Sequence, residues 1–316
     1  MVDNHELKAE ERLVHLLQLK RVSCFAISAD GKYVAGGSQK GEIRIWQLLD
    51  GALVKTIAAN TGVRDLAFSP NGERLAAALT NGTIEIWNVD SALRERLDLK
   101  QGRLSDIVFL PDSRRWVTAT GSMGGKVKLW TLAEEKPHII FDQATSPMVN
   151  ECLIQHRVPH VYALGVSPNG STLAVALWSG VITMDMDSGG ERAVRQIDPT
   201  AAIAVEFSHD GDRLAIGMGS STVWVLTADL KQTLLSVKVR GLSDVALSPD
   251  GKYVAAACDF GVKNDSAIEI YRVRDGTKVS SFVCHSDTVR QIDFAPNGQL
   301  VSCGLDGSVR VWTREK

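Results

Sequence analysis

Three stretches of this chain hold residue types that could do chemistry. Cys152, His156 and His160 lie within nine residues and offer donors of the kind that bind zinc. Their spacing matches no paired Cys/His motif, and no fourth donor is near in sequence. Asp185 and Asp187, followed by Ser-Gly-Gly-Glu191, set out oxygens much as a calcium loop does, without a ligand at its fifth position. Gly121-Ser-Met-Gly-Gly-Lys126 has the glycines and lysine of a phosphate loop. It is one residue short, and it runs into an alternating apolar pattern where a phosphate loop would open a helix. No Gly-x-Ser-x-Gly elbow occurs, and no Cys–His pair has the setting of a nucleophile. The expectation is no catalytic residue, no metal and no cofactor.

The elements that would carry these residues are short strands. The last stretch, Cys284 to Trp312, has an apolar alternation (Val289, Ile292, Phe294), a turn at Pro296–Gly298, a second apolar run, a tight Asp306-Gly307 turn and a third run ending in Trp312. That is a three-stranded meander. Its first turn recurs along the chain as SADG, SPNG, LPDS, SPNG, SHDG, SPDG and APNG, ending at residues 31, 72, 113, 170, 211, 251 and 298. The intervals are 41, 41, 57, 41, 40 and 47 residues, the spacing of propeller blades. The third strand recurs too, as GEIRIW, GTIEIW, GKVKLW, GVITMD, STVWVL, SAIEIY and GSVRVW. It alternates with the period of two that a half-buried strand requires. Asp185 and Leu226 stand where the other units end in an aromatic residue, so the fourth and fifth units are expected to be the least regular.

The order His, Val-x-x-Ile-x-Phe, turn, Ser, Asp-Gly, Trp in the last unit resembles the WD40 repeat. The resemblance implies an all-β, seven-bladed β-propeller spanning residues 1–316 as one domain. It also implies that His285, Ser302, Asp306 and Trp312 form a buried hydrogen-bonded chain. The role of that chain is structural, because each group left unpaired in a core costs roughly 1–3 kcal/mol. Seven blades need seven outer strands, and the chain ends four residues after Trp312. Aligning Gln18 with His285 places Glu11–Leu17 where an outer strand belongs, so the N-terminal segment is expected to complete the last blade. The competing reading is an amphipathic helix, with Ala9, Leu13, Leu16 and Leu17 on one face. Residues 1–10 form an extension, and residues 142–160 a long loop insertion.

Composition narrows the function. Net charge is −2 and the pI about 6.4, so no global basic field draws nucleic acid or an anionic membrane. The five cysteines, an odd number without CxxC spacing, read as buried free thiols of a reducing compartment. The polar N-terminus is not a secretory signal, and no apolar run reaches the roughly 18 residues of a membrane span. A cytoplasmic protein is expected. The turns before the third strand carry Met123, Trp178, Phe260 and Leu305, apolar where turns favour polar residues. The entries to the inner strands carry Arg21, Arg103 and His160. Arginine beside aromatic side chains is the composition of an interface centre. These seven residues are the candidate partner-binding set. The expected function is a non-catalytic protein-interaction scaffold, monomeric by itself, that takes an acidic or apolar anchor of a partner protein. The alternatives are a propeller hydrolase or oxidoreductase with its site near His160, and a self-assembling subunit.

Overall fold

The computed structural model describes residues 11–98, 102–121, 125–134, 136–147, 149, 160–197, 200–259 and 266–314. Their strands form seven four-stranded antiparallel sheets. Six sheets are consecutive meanders, which we number as blades 1 to 6 and whose strands, a to d, run from the axis outward. Their inner strands are Val22–Ile27, Val63–Phe68, Leu104–Phe109, Ala163–Val166, Ala202–Phe207 and Leu242–Leu247. Blade 7 takes strands a to c from Val289–Phe294, Leu300–Gly304 and Ser308–Arg314, and its outer strand from Glu11–Gln18.

That closure has the expected register. Gln18 lies opposite Ser308 in blade 7, as His285 lies opposite Ser266 in blade 6. Leu17 and Leu19 are buried by it, in a cluster with Val22, Phe25 and Val311 that joins the last blade to the first. Such clusters fill the spaces between neighbouring blades. In the one between blades 2 and 3, Trp116 and Trp130 stack with centroids 6.1 Å apart.

The repeated first turn explains itself locally. In SADG, SPNG and SPDG units the serine hydroxyl donates to the Asp or Asn two residues on, as in Ser28–Asp30, Ser69–Asn71 and Ser167–Asn169, each at 2.7 Å. The same hydroxyl accepts the backbone N–H that opens the next strand, for example Tyr33 N at 2.9 Å. The turn therefore carries its own hydrogen bonds, and strand b starts in a fixed register.

Blade 4 departs from the pattern, and the reading of its third strand needs correction. Met184, not Asp185, holds the register of the tryptophans, facing Leu173 as Trp87 faces Leu75. The cause is a b–c turn one residue shorter, closed by Leu177 N to Gly180 O where blade 2 uses Leu79 N to Thr83 O. Asp185 instead lies at the c–d turn, where its Oδ1 accepts the N–H groups of Asp187 and Ser188. Blade 5 is regular, with Leu226 fully buried in the aromatic position. Among the described residues no helix is long and apolar enough to cross a membrane.

Candidate functional site

In blade 7 the four polar residues meet. His285 Nδ1 is 3.0 Å from Asp306 Oδ1, His285 Nε2 is 2.8 Å from Ser302 Oγ, and Trp312 Nε1 donates to the same oxygen at 2.9 Å. Burial holds the imidazole below its usual pKa against the opposing pull of Asp306. Neighbouring donors, His285 and Ser308 first, keep Asp306 well below the carboxylate range despite its burial. With every site occupied inside a core, the set has no open face toward a reactant. Blade 3 keeps half of it, with Trp130 Nε1 donating to Thr118 Oγ1 at 2.9 Å.

The axial channel is the concave feature that every blade shares. It is a cavity of about 530 Å³ lined by all seven inner strands. Six of these strands carry a β-bulge at the same place, between Val22/Cys24, Val63/Asp65, Leu104/Asp106, Ala202/Ala204, Leu242/Asp244 and Val289/Gln291. A bulge sets two residues against one partner and re-aims a side chain. The bulged residues are Ser23, Arg64, Ser105, Ile203, Ser243 and Arg290, and all six line the cavity.

In four of these strands the residue after the bulge ties its blade to the next. Asp65 accepts Ile107 N at 2.9 Å, Asp106 accepts Leu164 N at 2.6 Å, Asp244 accepts Ile292 N at 2.9 Å and Gln291 accepts Phe25 N at 2.9 Å. Glu206 does the same for Leu247 N at 3.1 Å. Burial raises all the acids of this layer. Asp65 also feels the charge of Asp106, to which it hydrogen-bonds, and Asp244 and Asp293 are pushed to about 7. Two carboxyls that hydrogen-bond to each other share a proton. This layer was not among the sequence-based candidates, although its signal recurs as the third residue of VRDLAF, LSDIVF, LSDVAL and VRQIDF.

One mouth of the channel gathers three of the candidate partner-binding residues. The d–a connections and b–c turns open on this face, so Arg21, Arg103, His160, Trp178 and Leu305 all belong to it. Arg103 O accepts Gly121 N at 2.8 Å, and a Cβ at Gly121 would stand 3.2 Å from the His160 ring. The His160 ring packs against Tyr162 with centroids 4.2 Å apart and planes tilted by 31°, and Tyr162 meets Trp178 at 6.3 Å. The result is a ledge of three rings beside Arg103. Burial, and then the charges of Arg64 and Arg103, hold the imidazole of His160 below its usual pKa. Burial, and then Arg103 and Arg290, lower that of Arg64.

Arg21 is exposed at the start of blade 1, and Leu305 sits in blade 7, bonded through its N–H to Thr288 O. Neither touches the ledge. Trp178 and Leu305 are half-buried. The exposed large apolar side chains lie mainly on outer strands, among them Leu13, Val14, Leu16, Leu53, Val54, Ile139 and Val283. Met123 and Phe260 lie outside the described residues, as do Cys152 and His156. Tyr162 and Arg290 were not in the sequence-based set. Among the described residues, no three His, Cys, Asp or Glu side chains are arranged to hold a metal ion.

Comparison with known proteins agrees with this architecture. The family model described as WD domain, G-beta repeat matches residues 13–47, 51–88 and 276–313. Each match begins in or just before an outer strand and ends one residue past the tryptophan of the next blade's strand c. An uncharacterised WD repeat-containing protein of Synechocystis is 26% identical over 54% of this chain and 46% of its own length. Telomerase protein component 1 of Rattus norvegicus is 24% identical over 84% of this chain and 10% of its own. COMPASS component SWD3 of Saccharomyces cerevisiae is 30% identical over 35% of this chain and 34% of its own. The matched regions thus span less than half the length of each of these relatives. Among solved structures, the β-propeller domain of Swd1 from Myceliophteria thermophila superposes with a TM-score of 0.82 at 16% identity, covering 96% of this chain and 99% of that one. The chain thus carries WD40 repeats at three stretches of a closed seven-bladed β-propeller.

Proposed function

We propose that this protein is a non-catalytic scaffold that docks partner proteins at the channel mouth, around Arg64, Arg103, His160, Tyr162 and Trp178. The observation that carries the reading is that two arginines and three packed rings from three successive blades come together at one mouth of the channel, with Arg64 lining the cavity and both arginines close enough to act on His160. Arginine and aromatic residues are enriched in the energetic centres of interfaces, where a rigid surface keeps the entropic cost of association low. A closed ring of seven sheets is such a surface. The relatives named as a COMPASS component and a telomerase protein component support a role within protein assemblies. We place the protein in the cytoplasm as a monomer before partner binding, without affinity for nucleic acid or membranes.

The test is affinity capture from cells that make the protein, comparing wild type with an Arg103→Glu, Trp178→Ala double variant. The two must first show the same circular dichroism spectrum and cooperative melting. Proteins retained by the wild type are expected to be lost from the variant. A folded variant that retains the same proteins overturns the docking surface.

A further inference from the structure

We infer that the channel mouth receives an acidic peptide, with a carboxylate of the partner protein set among Arg64, Arg103 and Arg290 and its flanking residues lying over the His160–Tyr162–Trp178 ledge. This rests on the docking role proposed above and assigns the partner's chemistry. The three arginines come from blades 2, 3 and 7, and none has an ion pair or side-chain hydrogen bond among the described residues, where most surface arginines do. Arg64 and Arg290 are the bulged residues of their strands, so the fold itself aims them into the cavity. Arg21 and Lys40 stand on blade 1 between them, exposed and without an ion pair among the described residues. The cations therefore follow an unbroken arc through blades 7, 1, 2 and 3. The bulged residues on the remaining side of the mouth, Ile203 and Ser243, are uncharged.

This arc is not a reflection of composition, because the chain as a whole carries a net charge of −2. On this face Asp259 accepts Thr288 Oγ1 at 2.7 Å and Asp287 accepts Thr288 N at 2.7 Å, both on the blade 6–7 side. Among the described residues the other acids of this face are engaged elsewhere, Asp306 by His285, Ser308 and Arg310 and Glu42 by Arg44, while Asp65 offsets part of the charge of Arg64. The channel carboxylates lie one layer further in, with oxygens directed at the N–H groups of neighbouring blades. Guanidinium forks match a carboxylate in geometry as well as charge. A concave, partly desolvated mouth strengthens the attraction. The cations occupy half of one mouth, which suits a short acidic segment; a polynucleotide backbone asks for a longer track of phosphate contacts.

The probe is octaglutamate with both ends blocked, titrated calorimetrically into the whole protein at low ionic strength. Saturable, equimolar binding is expected, weakened about tenfold or more by Arg103→Glu. Lys32→Glu, in the a–b turn of blade 1 on the opposite face, is expected to leave it unchanged, and octalysine to give no binding. Arg290→Glu supplies a second variant at a separate blade. The proposal is overturned if octaglutamate does not saturate, if Lys32→Glu weakens it as much as Arg103→Glu, or if octalysine binds instead. Should octaglutamate fail while the Arg103→Glu, Trp178→Ala protein still loses its captured proteins, the acidic anchor is wrong and the docking surface stands. If no captured protein is lost either, both readings fall.

Discussion

Trp312 donates its indole N–H to the Ser302 hydroxyl at 2.9 Å across the two central strands of the blade that closes the ring. The carboxylate of Asp306 accepts a hydrogen bond from Nδ1–H of His285, so Nε2 is the acceptor and Ser302 both donates and accepts. Ser302→Ala leaves two buried groups without partners. Its expected cost is about 2–4 kcal/mol in urea unfolding. Ser302→Thr should cost about 1 kcal/mol or less, because blade 3 makes the same indole contact through Thr118. An alanine variant as stable as wild type would contradict a structural role for the chain.

Asp244 offers a pH-dependent test. Burial raises its folded pKa to about 7, against an unfolded value of about 4. The folded state therefore carries a cost above pH 7 that fades as the pH falls from about 7 toward 4 and the group protonates. Gln291 shows that an amide can fill the equivalent place, accepting Phe25 N as Asp244 accepts Ile292 N. Asp244→Asn should therefore stabilise the protein by about 2 kcal/mol at pH 8 and by little near pH 4. The comparison cancels the opposite trend of His285 and Asp306, whose lowered pKa values make the wild type lose stability as acid is added. A difference in melting temperature between variant and wild type that does not change with pH would refute the charged-channel account.

Two glycines separate steric clash from backbone strain. At Gly241 φ is +61° and a Cβ would stand 1.6 Å from the carbonyl oxygen of Asp259, whereas at Gly72 φ is +74° with nothing within 4 Å. Gly72→Ala should cost about 1 kcal/mol from its left-handed conformation alone. Gly241→Ala must also displace a backbone carbonyl and should cost about 3 kcal/mol or more. Equal melting temperatures for the two variants would show that the turn at Gly241 is not held against blade 6.

Removing residues 1–18 strips the outer strand from blade 7, leaving Ser308–Arg314 as an open edge and uncovering the cluster that Leu17 completes. Open edges recruit other strands. The truncated chain is expected to elute as higher oligomers and to lose cooperative melting. A monomer with a sharp transition would mean that the ring does not depend on this strand.

The blade count, the closure and its register were legible because each is written as a repeat. Turn signals fall at nearly constant intervals, and period-two alternation marks the strands between them. What escaped notice sits at single positions that the repeat does not punctuate. Met184 was misaligned because one residue is missing from a turn, and turn length does not alter the alternation on either side. Arg290 stayed hidden because a bulge re-aims its side chain, and a bulge has no strong residue preference outside glycine. Arg103, His160 and Trp178 were identified from turn positions, whereas Tyr162, which joins two of them, looks in sequence like any aromatic at a strand's start.

The pairing of Glu11 with Arg314, through to Gln18 with Ser308, also sets an order of events during synthesis. Blades 1 to 6 can each form as a local meander soon after their strands leave the ribosome, but Glu11–Gln18 has no partner until Ser308–Arg314 emerges. The final clasp is the most non-local contact of the chain, and such contacts are slow to form. Until then Leu17 and Leu19, which closure buries, stay uncovered beside the already exposed Leu13, Val14 and Leu16, which makes the interval before closure the moment at which this protein most needs shielding from its neighbours.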